Sequence, residues 1–124
     1  MNGKKDKVLI IDDESILRRL VRRSLEHAGY EVVEACDGAD AFEEVRKHRP
    51  AVVLMDIHMP RLDGIAAIEG IRGIDESIAV IVMSGDPERA QLALERGALD
   101  FIAKPFDLRR LETSVLAGVA ARGA

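Results

Sequence analysis

Three carboxylates, one hydroxyl and one ammonium in this chain share a position: each stands where an apolar run stops. Asp12 and Asp13 follow Val8-Leu9-Ile10-Ile11, and Asp56 ends the run that begins at Ala51. Ser84 follows Ile78 to Met83, and Lys104 follows Leu99 to Ala103. Clustered carboxylates repel one another unless a cation neutralises them. An all-oxygen site with open positions suits Mg²⁺, which keeps waters and binds a substrate phosphate. Lys104 adds a point charge suited to a phosphoryl oxygen, and Ser84 adds a hydrogen-bond donor. Asp56 is then a candidate nucleophile toward phosphorus. The chemistry is phosphoryl transfer onto an aspartate.

Taken singly, most of these residues have plainer readings. Asp12 and Asp13 suit a helix cap and a first-turn acid, Ser84 a loop hydroxyl, and Lys104 a solvated charge. Asp56 is harder to set aside, because an apolar strand seldom ends in a charge. Recurrence at four strand ends selects the chemical reading.

The elements that must position these groups follow from the hydrophobic pattern. Lys7 to Ile11, Ala51 to Asp56 and Ile78 to Met83 are apolar without alternation, as strands buried on both faces are. Glu31 to Ala35 is more polar and suits an edge strand; Leu99 to Ala103 is a fifth. Between them run helical stripes. The first carries Ile16, Leu17, Leu20, Val21, Leu25 and Ala28 and stops at Gly29. The second opens at Asp37-Gly38 with Ala41, Phe42 and Val45, and Pro50 closes its connection. After Asp56 a loop runs through Pro60, and Asp63-Gly64 opens the third, with Ile65, Ile68 and Ile71. Asp86 is placed to cap the fourth, with Pro87 at its first position, and it runs to about Arg96 before Gly97. Asp107 caps the fifth, whose apolar face is Leu108, Leu111, Val115, Leu116 and Val119.

Five strands alternating with five helices imply a doubly wound α/β fold with a parallel sheet and right-handed crossovers. Placing the most apolar strands centrally gives the order 2-1-3-4-5, the flavodoxin-like (βα)5 arrangement. Strands 1, 3, 4 and 5 are then neighbours about 4.8 Å apart. Their carboxyl ends converge on the crevice where open α/β sheets bind ligands.

At 124 residues the chain reads as one domain, with a core over about 7–121, and no output domain is expected after the fifth helix. Eighteen basic against 22 acidic residues give a net charge of −4, which speaks against a nucleic-acid-binding surface. The single cysteine, Cys36, reads as a small apolar residue in or beside the second strand. One cysteine forms no intramolecular disulfide, which points to a reducing compartment. No run approaches the roughly 18–20 apolar residues of a membrane span, and the basic N-terminus lacks a signal-peptide core. A cytoplasmic location is expected.

Asp12-Asp13, Asp56-Ile57-His58-Met59-Pro60-Arg61-Leu62-Asp63-Gly64, Ser84-Gly85 and Gly97-Ala98 through Phe101 to Lys104-Pro105-Phe106 form a combined pattern. It resembles the receiver domain of two-component response regulators, the chemotaxis-regulator-like kind, over essentially the whole chain. The resemblance implies a phosphorylation-activated switch, with Asp56 accepting a phosphoryl group from a sensor histidine kinase or a histidine phosphotransfer protein. It implies Mg²⁺ bound directly by Asp13, Asp56 and the backbone carbonyl of His58, with Asp12 mainly acting through water. Lys104 would pair with a phosphoryl oxygen, Ser84 would be the switch hydroxyl and Phe101 the switch aromatic. The Lys104–Pro105 bond would be cis, a form accessible mainly before proline. The chain would catalyse its own phosphorylation and dephosphorylation without an external substrate. His58 and Asp86, two residues beyond Asp56 and Ser84, stand where the family tunes the lifetime of the aspartyl phosphate. His58 either contacts the phosphoryl group or an attacking water, or is a solvated loop residue. His27 and His48, near helix ends, read as surface residues favoured by the helix dipole.

The pattern varies at Ser84, where threonine is frequent, and at Phe101, where tyrosine is. The helix 4–strand 5–helix 5 face, with Arg89, Arg96, Asp100, Arg109, Arg110 and Glu112, is the one receivers use for a downstream protein, an output domain or a second copy. The chain is expected to be a monomer or a phosphorylation-dependent homodimer. Two other readings compete. A haloacid-dehalogenase-type phosphatase needs a second aspartate two residues after the first, where this chain has His58. A pseudo-receiver would bind partners without phosphorylation, against which all five chemical positions are intact.

Overall fold

The computed structural model describes residues 5–59 and 63–123. Pro60, Arg61 and Leu62 of the motif after Asp56, with residues 1–4 and Ala124, lie outside the described residues. The strands are β1 (Lys7–Ile11), β2 (Glu31–Ala35), β3 (Val52–Asp56), β4 (Ala79–Ser84) and β5 (Asp100–Ala103). The helices are α1 (Ser15–His27), α2 (Gly38–His48), α3 (Gly64–Ile74), α4 (Pro87–Glu95) and α5 (Leu108–Gly123). All strands are parallel, in the order β2-β1-β3-β4-β5.

The unbroken apolar character of β1, β3 and β4 has a simple cause: helices cover both faces of the sheet. Along each strand alternate residues enter different cores. Leu9, Ile11, Val53, Met55, Val80 and Val82 pack with α2, α3 and α4 residues such as Val45, Ile68 and Ala93. Val8, Ile10, Val52, Leu54, Ile81 and Met83 pack with Val21 and Leu25 of α1 and Leu111 and Val115 of α5.

Aspartates start four of the helices. Asp37, Asp63 and Asp86 accept backbone N–H bonds at the starts of α2, α3 and α4, and Asp107 accepts one from Arg110 at 2.9 Å. Each satisfies a donor that the first turn otherwise leaves orphaned. Gly29, with φ +103°, takes the chain out of α1 in a conformation few other residues adopt. The Lys104–Pro105 peptide bond is cis.

The stripes on α1 and α5 are narrower than the sequence pattern implies. Ile16 and Leu20 are 74% and 51% exposed, Leu116 is 62% exposed and Leu108 37%, and Ala28 is also exposed. Among the described residues α1 and α5 alone cover this face, and each meets the sheet along one line of residues. Leu17, Val21 and Leu25 form that line on α1, and Leu111, Val115 and Val119 on α5. Flanking apolar residues therefore remain outside. Cys36 is exposed as well, because it lies just past the end of β2, where the edge strand turns into the loop before α2. Strands β4 and β5 each begin one residue later than the apolar runs. No helix among the described residues is long and apolar enough to cross a membrane.

Candidate functional site

The carboxyl ends of β1, β3, β4 and β5 bring all five chemical positions to one rim. Register makes this so: Ile11 lies opposite Met55, Asp56 opposite Met83, and Ser84 opposite Ala103. One carboxylate oxygen each from Asp12, Asp13 and Asp56 lies within 4.8 Å of the other two. Asp12 and Asp56 are buried, whereas Asp13 is exposed at the mouth. This clustered set of hard oxygen donors, open on one side, fits a small divalent cation such as Mg²⁺.

Lys104 supplies the counter-charge within the protein. Its Nζ lies 2.9 Å from Asp56 Oδ2, 3.4 Å from Asp12 Oδ2 and 3.8 Å from Glu14 Oε1. Burial would lower the Lys104 pKa, but its bond to Asp56 and the field of Asp12 outweigh that and hold it above the ordinary value. Burial raises the Asp12 carboxyl, although the Glu14 N–H and Lys104 favour its charged form. Two buried carboxylates thus share one ammonium. A cleft of about 400 Å³, lined by Glu14, Leu17, Lys104, Pro105 and Phe106, opens beside it.

The remaining oxygens are held by backbone. Asp56 Oδ1 accepts from the His58 N–H at 2.8 Å, and Asp12 Oδ1 accepts from the Glu14 N–H at 2.8 Å. The Asp12 carbonyl in turn accepts from Arg18 Nη1 at 2.6 Å. Arg18 Nε donates to Glu34 Oε1 at 2.9 Å, and Arg22 Nη1 donates to Glu34 Oε2 at 2.6 Å. Sequence reasoning missed this brace of Arg18, Arg22 and Glu34. None of the three belongs to a recognisable motif, and only the pairing of β2 with β1 brings Glu34 to α1.

Ser84 ends β4 and is 2% exposed. The Asp86 N–H donates to its Oγ at 2.9 Å, the hydroxyl donates to the Asp86 carbonyl at 3.2 Å, and His58 Nε2 lies 2.9 Å from the same Oγ. Asp86 is also the residue whose carboxylate caps α4, accepting from Glu88 and Arg89 N–H groups. The Ser84 hydroxyl is therefore bonded to the residue that starts α4. The His58 side chain is exposed and meets Ser84, a partner that the spacing of the two residues does not reveal.

Phe101, in β5, is half-buried and packs against the core shared by α2, α3 and α4. Its carbonyl accepts from Arg110 Nη2 at 2.9 Å. Arg110 also grips Asp100 through both ends of its guanidinium, at 2.9 and 3.1 Å, and the buried Ser114 hydroxyl donates to Asp100 at 2.7 Å. On the same face Arg96 pairs with Glu69 and Glu112 accepts from Ser24. Several charges of that face, which the sequence alone gives as solvated, are thus bonded within the chain. His27 is exposed at the end of α1, and His48 bridges Glu44 and Lys7.

Known proteins resemble this chain closely. The model of the response regulator receiver domain matches residues 8–116. The chemotaxis protein CheY of Bacillus subtilis is 40% identical over 108 residues, covering 85% of this chain and 90% of its own. The transcriptional regulatory protein PrrA of Mycobacterium tuberculosis is 36% identical over 119 residues, which cover 94% of this chain and 51% of PrrA, so the chain spans about half of that relative. The crystal structure of a response regulator receiver domain protein from Clostridium thermocellum superposes with a TM-score of 0.90 at 29% identity, over 95% of this chain and 97% of that one. With a family model matched over most of its length and the same fold in a solved receiver, the chain belongs to the response regulator receiver domains of two-component systems.

Proposed function

We propose that the chain is a phosphorylation-controlled switch that accepts a phosphoryl group on Asp56. The observation that carries this reading is the Lys104 ammonium 2.9 Å from Asp56 Oδ2, at a rim where Asp12 and Asp13 supply further carboxylates. The phosphorus–oxygen bond to Asp56 forms as the phosphorus–nitrogen bond to a donor phosphohistidine breaks, and the imidazole leaves. Backbone support for Oδ1 from His58 orients the carboxylate. Lys104 then trades part of its contact with Asp56 for a phosphoryl oxygen, in the manner of a fixed charge stabilising the transferred group. When bound, Mg²⁺ supplies the charge neutralisation that the three aspartates lack; Asp13, Asp56 and the His58 carbonyl would hold it directly, and Asp12 mainly through water.

The readout follows from Ser84. A phosphoryl group on Asp56 offers its hydroxyl an anionic acceptor in place of the Asp86 carbonyl, and charge-assisted bonds are the stronger. Turning toward it gives up the bonds that tie Ser84 to Asp86. The start of α4 is released, and Phe101 on β5 repacks with it. Such a shift between two arrangements is what a partner reads. The partners are a sensor histidine kinase or histidine phosphotransfer protein upstream, and a downstream protein, output domain or second copy on the α4–β5–α5 face. His58 and Asp86 are placed to set how long the phosphate lasts. The chain's own catalysis extends to losing that group to water.

The test is direct: Mg²⁺ and acetyl phosphate should add one phosphoryl group by mass, and Asp56→Asn should abolish it. No modification of the wild type, or modification surviving Asp56→Asn, would overturn the reading.

A further inference from the structure

The family pattern gives the residue two beyond the acceptor an influence on the phosphoryl group itself. In this chain the His58 ring is engaged elsewhere. Its Nε2 lies 2.9 Å from Ser84 Oγ, while its backbone N–H separately holds Asp56 Oδ1. The hydroxyl has one hydrogen and two lone pairs. The Asp86 N–H fills one lone pair, and the hydroxyl hydrogen reaches the Asp86 carbonyl. With the ring hydrogen of the neutral imidazole on Nε2, the His58 ring donates into the second lone pair and completes the set. Every bonding position of the 2%-exposed hydroxyl is then taken, with none left for a phosphoryl oxygen.

We propose that His58 is a positioning residue that tethers the Ser84 hydroxyl in the unphosphorylated arrangement, so that the tether must break before Ser84 can turn toward a group on Asp56. The proposal rests on Asp56 as the phospho-acceptor and goes beyond it by assigning His58 an effect on the switching equilibrium. A bond present only in the resting arrangement stabilises that arrangement. Removing it makes the active one more accessible, and a ligand that selects the active arrangement then binds more tightly. The tether lies between the ends of β3 and β4, which is the gap the hydroxyl must cross. Because the ring is exposed and the Asp56 bond comes from backbone, His58→Ala removes the tether and spares the carboxylate's support.

The experiment is a double-mutant cycle read by a phosphoryl analogue that does not hydrolyse. Beryllofluoride with Mg²⁺ is titrated into the wild type, His58→Ala, Ser84→Ala and the double variant, following the backbone amide signals of residues 84 and 86. His58→Ala should tighten apparent affinity by about two- to tenfold, the effect of losing one neutral hydrogen bond. In the Ser84→Ala background the same change should have little effect, because the tethered group is gone. Unchanged or weaker binding by His58→Ala would overturn the tether. So would an equal gain in both backgrounds, which would place the action of His58 on the bound phosphoryl analogue directly. Absence of saturable binding by the wild type would instead overturn the phospho-acceptor reading, and the tether with it.

Discussion

Lys104 Nζ lies 2.9 Å from Asp56 Oδ2 and 3.4 Å from Asp12 Oδ2, so one ammonium from the end of β5 serves buried carboxylates at the ends of β3 and β1. Those carboxylates repel each other, and the Lys104 ammonium between them offsets that repulsion. Its raised pKa means that its stabilisation is fully present below the ordinary lysine value and is lost as pH rises through the folded value. Lys104→Met should destabilise the metal-free protein by about 1–3 kcal/mol, because it strands buried charge. Urea unfolding with and without Mg²⁺ checks this. The loss should shrink when the cation is added.

The Asp12 carboxyl is shifted in the same direction, but in the acid range. It is raised chiefly by burial, so the folded state binds its proton more tightly than the unfolded chain does. The contribution to stability therefore falls as pH rises past the ordinary aspartate range. Asp12→Asn should stabilise the metal-free fold near neutral pH, on the order of 1 kcal/mol, and should weaken Mg²⁺ binding. Thermal unfolding paired with Mg²⁺ titration separates the two effects. A less stable metal-free variant would contradict the electrostatic account.

Asp100 joins β5 to α5. Burial would raise its carboxyl, but bonds from Arg110 and Ser114 outweigh that and hold it below the ordinary value. Its stabilisation is therefore present above the unfolded value and lost as pH falls through the folded one. Asp100→Ala also strands the buried Ser114 hydroxyl and should cost about 1–3 kcal/mol at neutral pH. The difference from wild type should narrow in acid. A pH series of denaturant midpoints measures it.

Gly64 opens α3 against the loop that follows Asp56. A Cβ built there would lie 2.6 Å from Ile57 Cα, a backbone atom that cannot step aside. Gly64→Ala should destabilise by about 1–3 kcal/mol and slow acetyl-phosphate labelling, because the displaced backbone carries the His58 N–H that supports Asp56. Labelling at the wild-type rate in a folded variant would show that the loop moves independently of the carboxylate.

The sequence alone determined the parallel order and the rim. Apolar runs without alternation require a sheet covered on both faces, and the residues that end Ile11, Met55, Met83 and Ala103 must then share one edge. Helix starts were equally legible, because an aspartate before an apolar-periodic run satisfies backbone donors locally. The tertiary structure decided the partners. Periodicity could not tell Leu17 from Leu20, or Val115 from Leu116, since the width of a buried stripe depends on how many helices share the face. Nor could it place Glu34 under Arg18, Arg110 on Asp100 or the His58 ring on Ser84. Each of these contacts joins separate elements through a loop conformation or a strand register, and only the folded chain brings them within hydrogen-bonding distance.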